Sequence, residues 1–464
     1  MSNETPKKFI PNEQNPMPRW EKKFNKILTP FERFVNRTTT GGLILMMAAL
    51  IALALANSPL AHHYLHALHV PLGLNLGDWR IEKSLHHWVN DGLMALFFFV
   101  VGLELKREML VGELAEIRKA VLPIVAAIGG MVIPAICYMS LNLNDETFRG
   151  WGIPMATDIA FALGVIALLA SRVPKALITF LVALAIVDDL GAVVVIAVFY
   201  TQDLAWSFLI AGALLTCLLI FFNMIGIRKP SVYFFVGLIL WFVFLKSGVH
   251  ATLAGVITAF TIPAKPKFNT LTFSNRVQDI LYKFKKGCEE DESILRNEHL
   301  SGLVQTLENG VVGVQTPLQR LEHSFHKPVA FFILPVFAIF NAGVTIDFGN
   351  AFQLFNHPIT LGVVFGLLFG KFVGITGASW LAIRFGLCSL PNDTSMKHII
   401  GASMLGSIGF TMSIFIAELA FVSQPEMIIQ AKLGILLSSL VAGVAGYLWL
   451  HKLGGEKSRI GSSL

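Results

Sequence analysis

The sequence predicts an all-α polytopic membrane protein with about twelve transmembrane helices, and three observations carry that expectation. Apolar runs of roughly 15 to 25 residues recur along most of the chain, which is the length a bilayer-spanning helix requires. Of 464 residues, 54% are hydrophobic and 14% are charged, where a soluble domain carries about 25% charged residues. Lys and Arg concentrate in alternate connections between the apolar runs, as membrane orientation demands. A soluble chain of this composition would have nowhere to put its apolar surface, which includes 37 Phe.

Twelve candidate spans lie at 41–57, 88–105, 120–141, 151–171, 176–200, 204–226, 231–246, 248–263, 329–346, 358–382, 398–421 and 431–451. One set of connections holds Lys106, Arg107, Arg118, Lys119, Arg172, Lys175, Arg228, Lys229, Arg384 and Lys397. The opposite set, 142–150, 201–203, 347–357 and 422–430, is poor in cations, with Arg149 its one Lys or Arg. Lys22, Lys23, Lys26 and Arg33 near one terminus, and Lys452, Lys457 and Arg459 near the other, fall on the basic side. The positive-inside rule therefore places both termini in the cytoplasm, in agreement with an even number of crossings. The expected organisation is a cytoplasmic tail at 1–38, spans one to eight within 39–263, a charged cytoplasmic connection at 264–327, spans nine to twelve within 328–452, and a second tail at 453–464. The tail at 1–38 has no short apolar core with a cleavage site after it, so it does not read as a secretory signal.

Two connections stand out. Outside, 58–87 contains Leu72, Leu74 and Leu76 in alternation before Gly77-Asp78, a pattern shared by a small β-hairpin near 66–84 and an irregular loop. Inside, 264–327 carries nine Lys or Arg and eight Asp or Glu. Its stretch from Arg276 to Lys286 is a candidate surface helix, and 287–298 is polar enough to be expected mobile. The net charge of +6 belongs to these connections and does not suggest nucleic-acid binding. Cys137, Cys217, Cys288 and Cys388 show no paired spacing, so neither a disulfide framework nor a zinc site is expected.

Ionisable residues inside spans are the functional clue, because each costs about 2.5–3.5 kcal/mol at a helix centre on insertion scales. They are Asp91, Asp158, Asp188, Asp189, His250 and Lys371, while Glu104, Lys246, His398, Glu418, Lys432 and His451 lie nearer span ends. Asp188-Asp189 sits in Ala183-Leu184-Ala185-Ile186-Val187-Asp188-Asp189-Leu190-Gly191-Ala192, and no other charge occurs between Lys175 and Asp203. Two adjacent carboxylates in a low dielectric cannot both ionise cheaply. They hold protons unless a cation replaces them, and hard oxygen donors suit a hard cation. That is the chemistry of a cation/proton exchanger; a structural acid pair is the competing reading.

Thr157-Asp158 follows Gly152-Ile153-Pro154 inside the fourth span. Pro removes a backbone donor and disfavours helix before it. Either the span is broken there, with Thr157 offering oxygens to an ion and Asp158 offsetting positive helix ends, or it merely starts late with a Thr or Asp cap. Gly401, Gly406 and Gly409 around Ser407 and Thr411 make span eleven a candidate second broken helix, or else a close packing seam. Lys371 interrupts an otherwise uncharged stretch and needs a carboxylate such as Asp188, unless it snorkels to an interface. Asp91 serves as an outside ion funnel or as an end cap. An intramembrane aspartyl protease would carry its two acids on different spans, with a Gly-Asp motif; here the acids are contiguous. A channel would need charge rings or a carbonyl filter, and no repeated filter sequence occurs.

At these residues the chain resembles the NhaA family of sodium/proton antiporters. The stretches that carry the resemblance are Asn90-Asp91-Gly92-Leu93-Met94-Ala95, Val101-Gly102-Leu103-Glu104-Leu105-Lys106-Arg107-Glu108, Met155 to Gly164, the double aspartate with its flanks, Lys246 to Gly255, and Gly406 to Ile416. They span roughly 40–455 apart from much of 266–318. The resemblance implies a twelve-helix fold with two inverted three-helix repeats and crossed, broken spans four and eleven, an architecture described for this family among inverted-repeat transporters. It implies Asp188 and Asp189 as the sodium and proton site, with Asp158, Thr157 and Lys371 around it. It implies Glu104 and Glu108 in a cytoplasmic pH-response region with Arg320, Glu322, His323 and His326, and Asp91 and His250 in the funnel and pH response. It further implies electrogenic exchange of sodium or lithium for protons, no cofactor, contact with membrane lipids, a homodimer joined by the outside hairpin, and the bacterial inner membrane. Two departures are visible: 266–318 looks inserted, and Gln319 stands where a Lys is common, which bears on the pH profile.

Overall fold

The computed structural model describes residues 38–76, 79–169, 172–201, 204–288, 297–345, 356–422 and 424–461. The basic stretch Lys22 to Arg33, Gly77-Asp78, most of the polar stretch 287–298 and nearly all of the connection 347–357 lie outside the described residues.

The chain is an α-helical, multi-pass membrane protein. Among the described residues, eight helices are long and apolar enough to cross a bilayer, and two bent helix pairs raise the number to ten. In chain order, α1 (Thr38–Ala56) bends by 115° into α2 (Ala61–Leu68). The strands β1 (Pro71–Leu76) and β2 (Trp79–Ser84) follow, then α3 (Leu85–Val111), α4 (Ile117–Leu141), α5 (Ile159–Ala167), α6 (Lys175–Phe199) and α7 (Trp206–Ile225). Next come α8 (Pro230–Phe244), α9 (Leu253–Thr261), α10 (Thr270–Cys288), α11 (Glu298–Val314) and α12 (Pro317–Asn341). The last helices are α13 (Pro358–Arg384), α14 (Met396–Gly406), α15 (Phe410–Ala420) and α16 (Pro425–Gly461).

The helices separate into buried and lipid-type surfaces. On α7 only Gly212 and Leu219 are buried, while Trp206, Ile210, Leu214 and Phe221 are exposed. An apolar face of that size is stable against acyl chains and not against water. By contrast α14 and α15 are buried along most of their length, which places the broken helix in the centre of the bundle. Small residues allow the close approaches that packing in lipid requires. Gly129 and Gly130 of α4 meet Gly374 and Ile375 of α13 with backbone in contact. Gly42 of α1 lies against α5, where an added Cβ would sit 2.7 Å from both the Ala160 carbonyl oxygen and the Gly164 Cα. Gly42→Ala is therefore expected to destabilise the protein by about 1–3 kcal/mol, the usual cost of overpacking. A lowered thermal-denaturation midpoint in detergent would register it; an unchanged midpoint would mean that α1 and α5 can part freely.

The alternating stretch before Gly77 forms an antiparallel hairpin, with Pro71 opposite Ser84 and Leu76 opposite Trp79. Trp88 Nε1 donates to the Leu72 carbonyl at 3.0 Å, which ties the hairpin to α3. Two expected spans are shorter than the sequence suggests. The helix expected over 231–246 is Pro230–Phe244, and that over 248–263 is reduced to Leu253–Thr261. Gly248 has φ +84 and Ser247 Oγ accepts from Val249 N at 3.2 Å, so 245–252 turns locally instead of continuing helix.

Span nine begins earlier than the expected 329. Its helix starts at Pro317, because Thr316 caps it by accepting from Gln319 N at 3.1 Å and Pro317 occupies a first-turn position. The segment of Arg320, Glu322, His323 and His326 is thus helical and continuous with the span. The connection before span nine contains a helical hairpin of α10 and α11, and the surface helix expected from Arg276 extends over Thr270–Cys288. Its two ends meet at a neck, where Lys267 N and Phe268 N both donate to the Gly313 carbonyl, at 2.8 and 3.1 Å.

Candidate functional site

The fourth apolar stretch is interrupted. A tight turn over Arg149–Met155 contains Pro154, residues 156–158 are not helical, and α5 starts at Ile159. The α14–α15 pair is interrupted likewise, with a 45° bend between Gly406 and Phe410. The two breaks lie against each other and exchange hydrogen bonds that neither could satisfy alone. Asp158 N donates to the Ile408 carbonyl at 2.7 Å, Thr157 Oγ1 to the Gly406 carbonyl at 2.9 Å, and Ser413 Oγ to the Ile153 carbonyl at 2.7 Å. Non-helical backbone at membrane depth is tolerated when it is paired in this way.

Asp158 sits where two helices begin. Its Oδ1 accepts from Phe161 N at 2.9 Å, capping α5, and its Oδ2 accepts from Thr411 N at 2.9 Å and Thr411 Oγ1 at 2.6 Å, at the start of α15. A carboxylate there answers the partial positive charge of both N-termini. Of the two readings open for Thr157-Asp158, the broken span and the helix cap are both realised.

Asp188 and Asp189 lie mid-way along α6, each 1% exposed. Lys371, fully buried on α13, places Nζ 2.7 Å from Asp188 Oδ2 and also donates to the Met155 carbonyl of the broken span. Snorkelling is thus overturned: the ammonium is held at the acid. A π turn over Gly366–Lys371 delivers it; such turns insert one extra residue into a helix and often occur at functional sites. Asp188 Oδ1 and Asp189 Oδ1 are buried without a hydrogen-bond partner. Asp189 makes no ion pair among the described residues and faces a cavity of about 120 Å³ that it shares with Asp158, Thr411, Glu104 and His326.

That cavity leads to the end of the bundle where α3 and α12 meet. There His326 Nδ1 lies 3.6 Å from Glu104 Oε1, and Arg107 contacts Glu322 at 2.8 Å and Glu108 at 2.7 Å. Glu108 Oε2 also accepts from Glu113 N at 3.0 Å. His323 and Arg320 lie on the same helix beside this cluster and line the open cleft around Glu322 and His326. Asp91 is at the opposite end of α3, paired with Lys83 of β2 at 2.8 Å. His250 is half-buried, its ring 6.1 Å from that of Phe415.

The structure therefore brings Thr157, Asp158, Asp188, Asp189 and Lys371 to one place, and Glu104, Glu108, Arg320, Glu322, His323 and His326 to another. Asp91 and His250 join neither group. Thr411 is the residue of the central group that sequence reasoning leaves out of the site; its position just after Gly406 and Gly409 is the signal that points to it. Arg107 is also missed, since a cation in a basic connection is explained by topology alone.

A multi-pass helical bundle, with apposed helix breaks around buried carboxylates and a lysine, defines an ion-transporting membrane protein. The chain belongs to the family described as Na+/H+ antiporter 1, whose model matches residues 32–450. It is similar to the Na(+)/H(+) antiporter NhaA of Sulfurimonas denitrificans, 50% identical over 432 residues that cover 93% of this chain and 97% of the relative. It is also similar to the Na(+)/H(+) antiporter NhaA of Dichelobacter nodosus, at 45% identity over 96% of each chain. A third relative, the Na(+)/H(+) antiporter NhaA 2 of Syntrophotalea carbinolica, is 45% identical over 92% of this chain and 98% of its own.

Proposed function

We propose that this chain exchanges cytoplasmic sodium or lithium for external protons across the bacterial inner membrane, electrogenically, with Asp188 and Asp189 as the shared ion and proton site. One observation carries the reading: Asp189 is a buried carboxylate with an unpartnered oxygen, open to a cavity, beside an acid already held by a lysine. A lone buried carboxylate must hold a proton or a cation. Sodium and protons then compete for the same oxygens, and each lowers the apparent affinity of the other. Asp158 and Thr157 hold the two helix breaks in register around the acids. If more protons enter than sodium ions leave, the membrane potential adds about 2.3 kcal/mol per charge per 100 mV.

The remaining parts of the proposal follow from topology. Counting each bent pair as one crossing and adding α8 and α9 gives twelve crossings, with both termini in the cytoplasm. The stretches 120–200 and 358–451 form two inverted three-helix repeats, supported by the paired breaks. The hairpin β1–β2 joins two copies through its open edges, lipid covers the exposed apolar helices, and Glu104, Glu108, Glu322 and the histidines beside them respond to cytoplasmic pH, with Asp91 and His250 toward the outside.

Purified protein in proteoliposomes tests the central claim through proton flux against sodium, lithium and potassium over a pH series. Sodium-dependent proton movement is expected. Passive current without such coupling would favour a channel and overturn the proposal.

The neck at Gly313 and Lys267 makes the α10–α11 hairpin separable. Deletion of 268–316 is expected to leave exchange intact while shifting its pH dependence, because it removes the Thr316 cap of the helix that carries Glu322 and His326. Flux in deletion proteoliposomes over the same pH series checks this; an unchanged profile would remove any regulatory role for the insertion.

A further inference from the structure

The cavity that reaches Asp189 opens at the Glu104 end, so something must close the ion path toward the hairpin end. Two layers stand there. The first is aromatic. Phe415 of α15 packs against Phe98 of α3 at 5.6 Å between ring centroids and against Phe337 of α12 at 6.3 Å, and all three are buried. Phe415 lies one helical turn beyond Thr411, which binds Asp158, so the layer begins about 6 Å past the ion site.

The second layer lies almost one turn further and is polar. Glu418 Oε1 is 2.6 Å from Lys432 Nζ of α16 and 3.7 Å from His86 Nε2 at the start of α3. His86 Nε2 is also 3.0 Å from Asn341 Oδ1, and Asn341 Nδ2 donates to Asn90 Oδ1 at 2.8 Å. Lys432 accounts for the charge of Glu418. It does not account for a histidine from another helix brought to the same carboxylate oxygen, remote from Asp188 and Asp189.

In both layers the contacts cross one seam. The ion site is built on the helices α4 to α6 and α13 to α16, whereas Phe98, Phe337, His86, Asn90 and Asn341 belong to α3 and α12. Any motion that exposes Asp189 on the hairpin side must part Phe415 and Glu418 from those residues. We propose that Phe415 and Glu418 form the outer gate of the ion path, and that His86 is its charge-dependent clasp. This rests on the exchange reading and extends it to the external face. His86 bears charge only when protonated, and a charged ring turns the contact with Glu418 into an ion pair across the seam. The groups that face it are Glu418, Lys432, Asn341 and Asn90, with His87 on its own turn and the Lys83–Asp91 pair at the same end. Burial opposes that charge more than Glu418 favours it, and Lys432 opposes it further, so only a markedly acid exterior charges the ring and holds the gate shut, and milder conditions loosen it. His86, Glu418 and Lys432 are positioning residues in this scheme and touch no transported ion at the acid pair.

The test uses the full chain and His86→Gln, which keeps a hydrogen-bonding group for Asn341 but never carries charge. Hydrogen–deuterium exchange of the segments 86–93 and 411–421, corrected for intrinsic rates, is expected to show about threefold lower protection in the variant near pH 5 and no difference near pH 8, because the buried ring charges only in acid. In proteoliposomes with the internal pH fixed, sodium-coupled flux of His86→Gln should exceed that of the unaltered protein about threefold at an external pH near 5, the scale of a partly exposed ion pair. In a Glu418→Gln/Lys432→Met background the same substitution should change neither readout. A protection change equal at both pH values, or one that persists in that background, would reduce His86 to packing and overturn the clasp. Protection behaving as described in a protein without sodium-coupled flux would support the gate and overturn the exchange reading instead.

Discussion

Asp189→Asn is expected to abolish sodium-coupled proton movement while leaving the protein folded. Asn keeps the shape of the side chain and removes the capacity to ionise, so the site can neither release a proton nor offer a charged oxygen to a cation. The position tolerates a neutral group, because Asp189 makes no ion pair among the described residues and one of its oxygens has no hydrogen-bond partner. Little stability therefore depends on the charge, and the thermal-denaturation midpoint should stay near that of the unaltered protein. Asp188→Asn is expected to lose exchange as well, with a larger structural effect, since Lys371 would be left without its carboxylate. The measurement is proton flux on addition of sodium to proteoliposomes of each variant. Full flux in Asp189→Asn would refute the assignment of the acid pair as the exchange site.

Much of this arrangement is legible in the letters because charge is so costly in a bilayer. Asp188 and Asp189 announce themselves by their uncharged flanks, and Lys371 by the apolar stretch it interrupts. Pro154 before Thr157-Asp158 marks one helix break, and the glycines before Thr411 mark the other. What the letters hide is whatever costs little locally. Thr411 is one hydroxyl residue among many in apolar helices, and only folding brings it to Asp158, 253 positions away. The π turn that aims Lys371 into the core has no compositional mark. The amphipathic first turns of α12 read as a polar loop, because their charged residues face the Glu104 cluster and do not follow the hydropathy of the span. His86, Glu418 and Lys432 look like ordinary charges near span ends, and their convergence depends on helices far apart in sequence. The shortness of α9 hides for another reason: Val249 and Ala251 continue the apolar run of α9 back to Gly248, while Ser247 and Gly248 turn the backbone there.

Lys371→Met should destabilise the protein more than any other single change at the site. The ammonium is fully buried, 2.7 Å from Asp188 Oδ2, and it also satisfies the Met155 carbonyl in the broken span. Removing one partner of a buried ion pair typically costs about 3–5 kcal/mol, because the remaining charge is left without compensation. Met fills a similar volume, so cavity formation contributes little and the loss is electrostatic. It follows that Lys371→Met/Asp188→Asn, which removes both charges, should recover most of the lost stability, since the two positions share one interaction and their effects cannot add. Thermal-denaturation midpoints of the two single variants and the double variant in detergent give the coupling directly. Strict additivity would mean that Lys371 and Asp188 do not form a stabilising pair in the folded protein, and that the lysine is held in the core by the Met155 carbonyl and its own packing.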